Sequence, residues 1–377
     1  KNYTGNVYIT SYGLLREDLD IYREMNFKVM VIDEAQNIKN PTAMLTKSVK
    51  SIKSTVKVAL TGTPIENSIL ELWSIFDYIM PGFLSSKNKF KEKYKMGEDF
   101  DEETNVMLNK LKNQVSPFIL RRKKNEVLKD LPEKLENNIY INLSEEEKKI
   151  YASLVQDTKK QMEELVKTGF NKNKMQILTL LTRLRQVCID PRIIFDGYKK
   201  PSSKIIHLLE VIKESIKNGH KILLFTSFKT ALNIVKEELD KEQITNYVID
   251  GSVSSKKRQE LVDKFNKDDT NIFLIMLKSG GTGLNLTSAD IVIHLDLWWN
   301  PQAENQATDR AHRIGQKNIV EVIKLIMTGT IEEKILNLQE KKKVLSDKII
   351  EKEQGKQDTF QNLSVEDIRE LLRFNNE

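Results

Sequence analysis

The sequence predicts an α/β protein built from two lobes with parallel sheets. Short apolar runs recur along the chain and are separated by stretches with helical periodicity, a pattern typical of parallel strands covered by helices. The chain has 377 residues, which is enough for two to three domains at roughly 100 to 200 residues each. A peptide hormone and a small binding module are therefore excluded.

Eight apolar runs are the predicted strands. The first lobe holds three of them, at residues 7–10, 28–32 and 56–60. The second lobe holds the other five, at residues 222–226, 245–249, 272–277, 291–295 and 320–325. Short, mainly apolar runs of this kind are typical of strands that helices cover on both faces.

The stretch between the lobes is predicted to be mainly helical. Strand-like runs nearly vanish between residues 83 and 201, whereas residues 144–168 and 175–186 have helix-forming patterns. Ser144 followed by Glu147 is a capping-box signature and marks a helix start. We interpret this stretch as a helical insertion with connectors.

Four segments are predicted along the chain. Apolar residues at helical spacing, beginning with Ile331 and Ile335 and continuing to Ile349, predict that the last segment is helical. The segments are part of lobe one at 1–82, helical insertions and a lobe-crossing connector at 83–200, lobe two at 201–330 and a helical tail at 331–377.

The charge balance is only mildly basic. Lys and Arg number 60 against 54 Asp and Glu, which gives a formal net charge of +6. Such a surplus permits a phosphate-bearing partner without requiring one, because the cations can equally be scattered over the surface.

Cysteine and histidine usage excludes several classes of site. Cys188 is the single cysteine, so an internal disulfide and every multi-cysteine zinc site are excluded, and a reducing compartment is indicated. The four histidines are not paired at the spacing of a helical zinc site. Apolar runs are far shorter than the roughly 20 residues of a membrane span, so we expect a soluble intracellular protein without a membrane partner.

Two adjacent carboxylates follow the predicted strand at residues 28–32. Asp33 and Glu34 stand at its carboxyl end, where open α/β sheets place ligands. One carboxylate can hold Mg²⁺ through water while the other positions a hydrolytic water. The alternative is a solvated turn.

Two further strands end in small residues. Thr61, Gly62 and Thr63 follow residues 56–60 and could sense a phosphate, or they could form an ordinary turn before a helix at 65–79. A glycine-rich loop at 278–283 follows the strand at 272–277 and could bring backbone N–H groups to a phosphate.

Arg310 and Arg313 are three residues apart on a predicted helix. At this spacing both guanidinium groups can point the same way and clamp a γ-phosphate. The alternative is a solvated arginine face.

In order and wording, these motifs resemble the Swi/Snf-type ATPases, the Snf-two family of helicase superfamily two, from motif Ib/II onward. The matching stretches are ITSY (9–12), DEAQ (33–36), LTGTPIEN (60–67), ELW (71–73), FILRRKK (118–124), LPEK (131–134), LRQVC (184–188), LLFTSF (223–228), KSGGTGLNL (278–286), WWNP (298–301) and DRAHRIGQ (309–316). The resemblance covers nearly the whole chain. It implies RecA-like parallel sheets, with a partial lobe one and a complete lobe two, helical insertions between them and a C-terminal helical tail.

The resemblance also implies ATP and Mg²⁺ as cofactors and assigns site residues. Asp33 would coordinate Mg²⁺ through water, and Glu34 would orient the attacking water. Arginine fingers would be Arg310 and Arg313, with Gln306 reading the phosphates. The residues that would couple nucleotide to lobe movement are Gln36, which stands where many members have His, and Thr61, Gly62, Thr63, Gly281 and Gly283.

The implied partner is double-stranded DNA, contacted mainly through phosphate and sugar by a monomer. The implied DNA contacts are Thr10, Ser11, Thr226, Ser227, Lys278, Ser279, Gly280 and Trp299. For Trp299, a place in the core or in lobe packing stays open. Contacts of Ser, Thr, Lys and backbone N–H groups with phosphate suit translocation that does not read sequence.

No Walker A loop, GxxxxGK followed by Ser or Thr, occurs in the 377 residues. In the family the phosphate-binding lysine precedes motif II, and only 32 residues precede Asp33. We therefore expect the chain to be the C-terminal part of a longer ATPase that hydrolyses little or no ATP in this form.

The resulting hypothesis is part of an ATP-dependent double-stranded DNA translocase that remodels protein–DNA complexes. The alternatives are a strand-separating helicase of the same superfamily and a non-enzymatic DNA- or partner-binding module. The abundance of Lys, Asn and Ile suggests a bacterial protein, for which we expect a cytoplasmic, nucleoid-associated location; a eukaryotic one would be nuclear.

Overall fold

A computed structural model describes residues 5–61, 69–94, 102–120, 122, 127–128, 130–277, 284–299 and 301–340. These residues form two compact units that divide after Leu120. Each unit has its own parallel sheet, which confirms the predicted α/β class with helical segments.

The first unit contains a two-stranded parallel sheet. Strand β1 (Phe27–Ile32) pairs with β2 (Ser54–Ala59), close to the two strands predicted at 28–32 and 56–60. The helices of this unit are α1 (Tyr12–Glu17), α2 (Leu19–Glu24), α3 (Met44–Lys50), α4 (Ile69–Ile79), α5 (Lys87–Lys93) and α6 (Glu102–Val115).

One face of the two-stranded sheet packs on a helical core, and the other is half exposed. Because side chains alternate between the faces of a strand, Ile32 lies in the core with the buried ring of Tyr78, whose hydroxyl donates to the Met30 carbonyl at 3.2 Å. The valines of the opposite face are between 37% and 55% exposed: Val29, Val31, Val56 and Val58.

The strand predicted at residues 7–10 is wrong. These residues have no strand pairing, and Val7 and Ile9 are 79% and 94% exposed. A strand forms only when a neighbour completes its backbone hydrogen bonds, and within the described chain β1 pairs with β2 alone.

The second unit is built on a six-stranded, all-parallel sheet. Its spatial order is β3-β8-β7-β4-β6-β5. The strands are β3 (Lys134–Ile141), β4 (Ile222–Thr226), β5 (Asn246–Ile249), β6 (Ile272–Met276), β7 (Ile291–His294) and β8 (Val320–Met327). Every residue of β4 and β7 is buried, as the apolar runs predict.

Helices cover this sheet. The helices are α7 (Glu145–Lys167), α8 (Phe170–Ile189), α9 (Ser203–Lys217), α10 (Lys229–Lys241), α11 (Ser255–Phe265) and α12 (Pro301–Thr308), followed by helical residues 331–340. The predicted capping box is confirmed: the Glu147 amide donates to Ser144 Oγ, and the Ser144 amide donates to the Glu147 carboxylate at 2.7 Å.

Strand β3 lies inside the stretch predicted to be nearly free of strands. It pairs along its whole length with β8, from Lys134 opposite Val320 to Ile141 opposite Met327. The sequence pattern missed it because an edge strand keeps many polar side chains, here Glu136, Asn137 and Asn138 among others. The second sheet therefore begins before the predicted start of lobe two.

Ion pairs with little exposure to water connect the helical segments of the second unit. Lys204 on α9 is fully buried and donates to both carboxylate oxygens of Glu332 at 2.7 Å. Arg192, just after α8, pairs with Asp190 at 2.9 Å and with Glu238 on α10 at 2.8 Å. The contact of Arg192 with Glu238 therefore links the end of the predicted connector to α10.

Candidate functional site

The carboxylate pair Asp33–Glu34 directly follows β1. Asp33 is exposed, and its Oδ1 accepts a hydrogen bond from the Glu34 amide at 2.9 Å. Glu34 has a left-handed backbone, with φ of 51°. A non-glycine residue in this conformation costs of order 1 kcal/mol or more and persists only where the surrounding structure holds it. Such residues are found preferentially at functional sites. The strained residue is the one predicted to orient the attacking water.

A chain of hydrogen bonds joins Glu34 to Thr61 through Gln36. Gln36 Nε2 donates to Glu34 Oε2 at 2.5 Å, and Thr61 Oγ1 donates to Gln36 Oε1 at 2.8 Å. A carboxylate only accepts, so the amide nitrogen must face Glu34 and the amide oxygen is left for Thr61. Three residues that the sequence analysis placed in the site are therefore in one network.

Backbone bonds hold the two strand ends of this network together. The Ala35 amide donates to the Leu60 carbonyl at 2.9 Å, and the Leu60 amide donates to the Ile32 carbonyl at 2.8 Å. The remaining predicted coupling residues of this loop, Gly62 and Thr63, lie outside the described residues.

Tyr12 is a site residue that the sequence analysis quoted within a motif without assigning it a role. Its hydroxyl donates to the Asp33 carbonyl at 2.7 Å. Burial, together with the nearby charges of Asp33 and Glu34, raises the pKa of Tyr12 to about 12. The phenol therefore stays a neutral hydrogen-bond donor at physiological pH and fixes the backbone of the carboxylate pair.

The oxygen donors after β1 fit a magnesium ion. Asp33 offers an exposed carboxylate, and Mg²⁺ prefers one or two carboxylates plus water and substrate phosphate over an all-protein cage. Among the described residues, no group of three or more His, Cys, Asp or Glu side chains is arranged to hold a metal. The role of Asp33 in holding the ion through water stays a prediction.

The two predicted DNA contacts of the first unit lie at the start of α1. Thr10 and Ser11 are both exposed. Ser11 is the N-cap of the helix, and its Oγ accepts from the Leu14 amide at 3.3 Å. Their contact with DNA stays a prediction.

The three predicted catalytic residues of the second unit lie on α12 and in the turns that follow it. Gln306 is exposed on α12. The helix ends at Thr308, so the expectation that Arg310 and Arg313 share a helix is wrong. Arg310 is partly buried and Arg313 is exposed, each in a turn.

Gln316 fixes the shape of these turns. It is buried, and its Nε2 donates to the Ala289 carbonyl at 2.8 Å, while its Oε1 accepts from the amides of Lys317 and Asn318 at 2.9 Å. His312 Nε2 lies 2.8 Å from the Pro132 carbonyl and joins the same segment to the residues before β3. A structured turn rather than a helix therefore holds the two arginines.

Two predicted DNA contacts, Thr226 at the end of β4 and Ser227 directly after it, share one hydrogen-bond partner. This partner is Asp296, which the sequence did not single out. Thr226 is only 1% exposed, and its hydroxyl donates to Asp296 Oδ1 at 2.7 Å. The Ser227 amide donates to the same oxygen at 2.9 Å. Thr226 is thus placed to support the loop from within, and Ser227 is partly exposed although its Oγ is buried.

Trp299 is buried, with 7% of its surface exposed. This burial favours a place in the core or in lobe packing, which was the alternative to DNA contact. The other predicted contacts of this unit, Lys278, Ser279 and Gly280, and the coupling residues Gly281 and Gly283 lie outside the described residues.

In the described part of the chain, no helix is both long and apolar enough to cross a membrane.

Two family matches cover most of the chain. The SNF2-related domain matches residues 2–193, and the helicase conserved C-terminal domain matches residues 203–315. The chain belongs to the SNF2-related ATPases of helicase superfamily two. Its fold is accordingly RecA-like.

The curated relatives include proteins named as ATP-dependent helicases and proteins named for TATA-binding protein. An uncharacterized ATP-dependent helicase of Mycoplasma pneumoniae is 39% identical over 98% of this chain and 35% of its own length. The putative ATP-dependent helicase/translocase YwqA of Bacillus subtilis is 39% identical over 97% of this chain and 40% of its own. TATA-binding protein-associated factor 172 of Homo sapiens is 32% identical over 97% of this chain and 23% of its own length. The chain thus spans about a third of the length of the first two relatives.

A solved structure supports the assignment. The SWI2/SNF2 ATPase core of Sulfolobus solfataricus in complex with double-stranded DNA is 37% identical, with a TM-score of 0.53 over 97% of this chain and 76% of that one.

Proposed function

We propose that this chain forms part of an ATP-dependent motor that translocates on double-stranded DNA and remodels protein–DNA complexes. The observation that carries the proposal is the hydrogen-bonded network of Glu34, Gln36 and Thr61. It ties a carboxylate placed for hydrolysis to the loop after the next strand. A relative solved with double-stranded DNA, and relatives named for TATA-binding protein, support the choice of partner.

In ATP hydrolysis a water attacks the γ-phosphorus and the bond to the ADP oxygen breaks. Glu34 orients that water, and Gln36 holds the Glu34 carboxylate in place. Mg²⁺ on Asp33 would neutralise phosphate oxygens. Arg310 and Arg313 stabilise the charge that spreads over the transferring phosphoryl group, and Gln306 contacts the phosphates.

By itself the 377-residue chain turns over little ATP in this proposal, because its sequence contains no GxxxxGK loop followed by Ser or Thr. The loop supplies backbone N–H groups and a lysine to the β- and γ-phosphates. Phosphate release by the chain with and without duplex DNA tests this. Robust DNA-stimulated turnover would contradict it.

Duplex binding by the chain as a function of salt tests the choice of partner. If several phosphates are contacted, the logarithm of the affinity falls linearly with the logarithm of the salt concentration. The slope becomes steeper by about 0.9 for each phosphate contacted. A flat dependence would favour the alternative of a module that binds a protein.

Translocation and strand separation are distinguished in the ATPase that contains this chain. Displacement of a third strand from a triplex, without displacement of a labelled strand from a duplex, is the expected result. Efficient duplex unwinding would favour the helicase alternative, which the names of the bacterial relatives raise. The variant Glu34→Gln is the control, since it removes the carboxylate while keeping the side-chain size.

A further inference from the structure

Arg185 is a buried cation that neither the sequence analysis nor the proposed mechanism uses. It lies on α8 and is only 3% exposed. Its Nη2 donates to Asp296 Oδ2 at 2.9 Å and to the Leu297 carbonyl at 2.7 Å. One guanidinium nitrogen therefore holds both the side chain of Asp296 and the backbone of the residue after it.

Three aromatic rings surround the same guanidinium. The Arg185 Cζ atom lies 5.1 Å from the ring centre of Phe228 and 5.6 Å from those of Trp298 and Trp299. A planar, weakly hydrated guanidinium suits such an enclosure, whereas the compact ammonium of lysine does not make the same stacked contacts. The site is therefore built for arginine.

The rings and the carboxylate belong to two loops. Phe228 follows β4, and Trp298 and Trp299 follow β7. Asp296, whose side chain is fully buried, gives one oxygen to Arg185 and the other to the Thr226 hydroxyl and the Ser227 amide. Arg185 and Asp296 thus fix both loops from one point beneath the surface.

We propose that Arg185 is a positioning residue for DNA binding by the second unit. It acts through Asp296 on Ser227, and through stacking on the loop after β7. Direct contact with DNA is excluded by its burial in this structure. The inference rests on the proposed function, because it assumes that these loops meet the duplex.

The test compares Arg185→Lys with a matched arginine of the same connector. Arg192 also forms partly buried ion pairs, at 2.9 Å with Asp190 and 2.8 Å with Glu238, and neither partner belongs to the two loops. Affinity for a fluorescein-labelled duplex is measured by anisotropy with the 377-residue chain. We expect about tenfold weaker binding for Arg185→Lys and a change below about twofold for Arg192→Lys.

A double-variant cycle separates positioning from general loss of structure. If Arg185 acts through Asp296, whose other carboxylate oxygen accepts from the Ser227 amide, Arg185→Lys combined with Asp296→Asn binds no more than about twofold weaker than the weaker of the two single variants. Fully multiplicative losses would overturn the action through Asp296. Equal losses in Arg185→Lys and Arg192→Lys would overturn the proposal.

Thr226→Val decides the matter if Arg185→Lys does not fold. It removes one donor to Asp296 from a side chain that cannot itself reach DNA, so binding should weaken about threefold or more. Thr182→Val is the control, because the Thr182 hydroxyl donates at 2.8 Å to a carbonyl of its own helix. Equal affinity of both threonine variants and the unmodified chain would overturn the proposal. Failure of the unmodified chain to bind duplex would instead contradict the proposed function.

Discussion

Burial keeps His294 uncharged at pH values where an exposed imidazole takes up a proton. It is 1% exposed, and its pKa is lowered to about 4, mainly by burial, with Glu304 opposing this shift and Lys324 adding to it. In the unfolded chain the pKa is near 6.5. The unfolded state therefore binds a proton first as the pH falls.

We predict that the free energy of unfolding of the second unit falls by about 3 kcal/mol between pH 7 and pH 4 because of His294. The contribution is fully present above pH 6.5 and is lost as the pH falls toward 4. Urea unfolding followed by circular dichroism at several pH values measures it. His294→Asn should remove this part of the dependence; an unchanged slope in the variant would contradict the assignment.

The buried pair Lys204–Glu332 makes a second prediction for single residues. Lys204→Met should lower the free energy of unfolding by about 3–5 kcal/mol, because it leaves a buried carboxylate without its counter-charge. Burial raises the pKa of Glu332, and Lys204 acts against that rise. Chemical denaturation measures the loss.

The double variant Lys204→Met, Glu332→Leu is its control. Replacing both charges by apolar groups of similar size is often neutral or stabilising, so the double variant should regain most of the lost stability. If it is as unstable as Lys204→Met alone, the loss comes from packing rather than from the unpaired charge.

At the residue scale, the positions of candidate site residues could be predicted where these residues directly follow an apolar run. Asp33 and Glu34 follow an apolar run, and Thr61 follows the next strand. Asp296 was missed because a single carboxylate after a strand has no local signature. Its partner Arg185 is 111 positions away, and only the fold brings the two together.

Among the helices, α7 offers the clearest test of a local rule. Ser144 accepts from the Glu147 amide, and Glu147 accepts from the Ser144 amide. Ser144→Ala should cost about 1 kcal/mol, because it leaves a helix-terminal N–H without its side-chain acceptor. Thermal or urea unfolding measures the loss.

The matched control is Ser153→Ala on the exposed face of the same helix. Alanine has the better helix propensity, so this variant should stay within about 0.5 kcal/mol of the unmodified chain or be slightly more stable. Equal losses at Ser144 and Ser153 would show that the cap contributes nothing specific.

At the element scale, strands buried on both faces could be predicted to within a few residues, since β4, β6 and β7 are continuous apolar runs. The edge strand β3 could not, although β5 at the opposite edge of the same sheet could. Strand β3 has three consecutive polar residues, Glu136 to Asn138, in a charged stretch, whereas residues 7–10 have strand-like composition without a partner. Pairing decides both cases, and pairing is not a local property.

Across the whole molecule, the two units differ in how completely their sheets are covered. The first has a two-stranded sheet with a half-exposed face of valines, and the second has six strands. We predict two transitions in urea, the first unit unfolding at the lower concentration, because it buries less apolar surface per residue. A single transition that coincides for all probes would contradict this.

The tryptophans assign the transitions. Trp73 reports on the first unit, and Trp298 and Trp299 report on the second. Lys204→Met should shift only the later transition, because its contacts lie within the second unit. A shift of both transitions by equal amounts would show that the stabilities of the two units are coupled.

The pairing of β3 with β8 has a practical consequence for dissecting the molecule. A recombinant piece cut near residue 200 would omit β3 and leave all eight residues of β8 as a bare edge. Such an edge presents a row of unused N–H and C=O groups to other chains and invites aggregation. Truncations intended to isolate the second unit should therefore start upstream of Lys134, so that the strand protecting this border is retained.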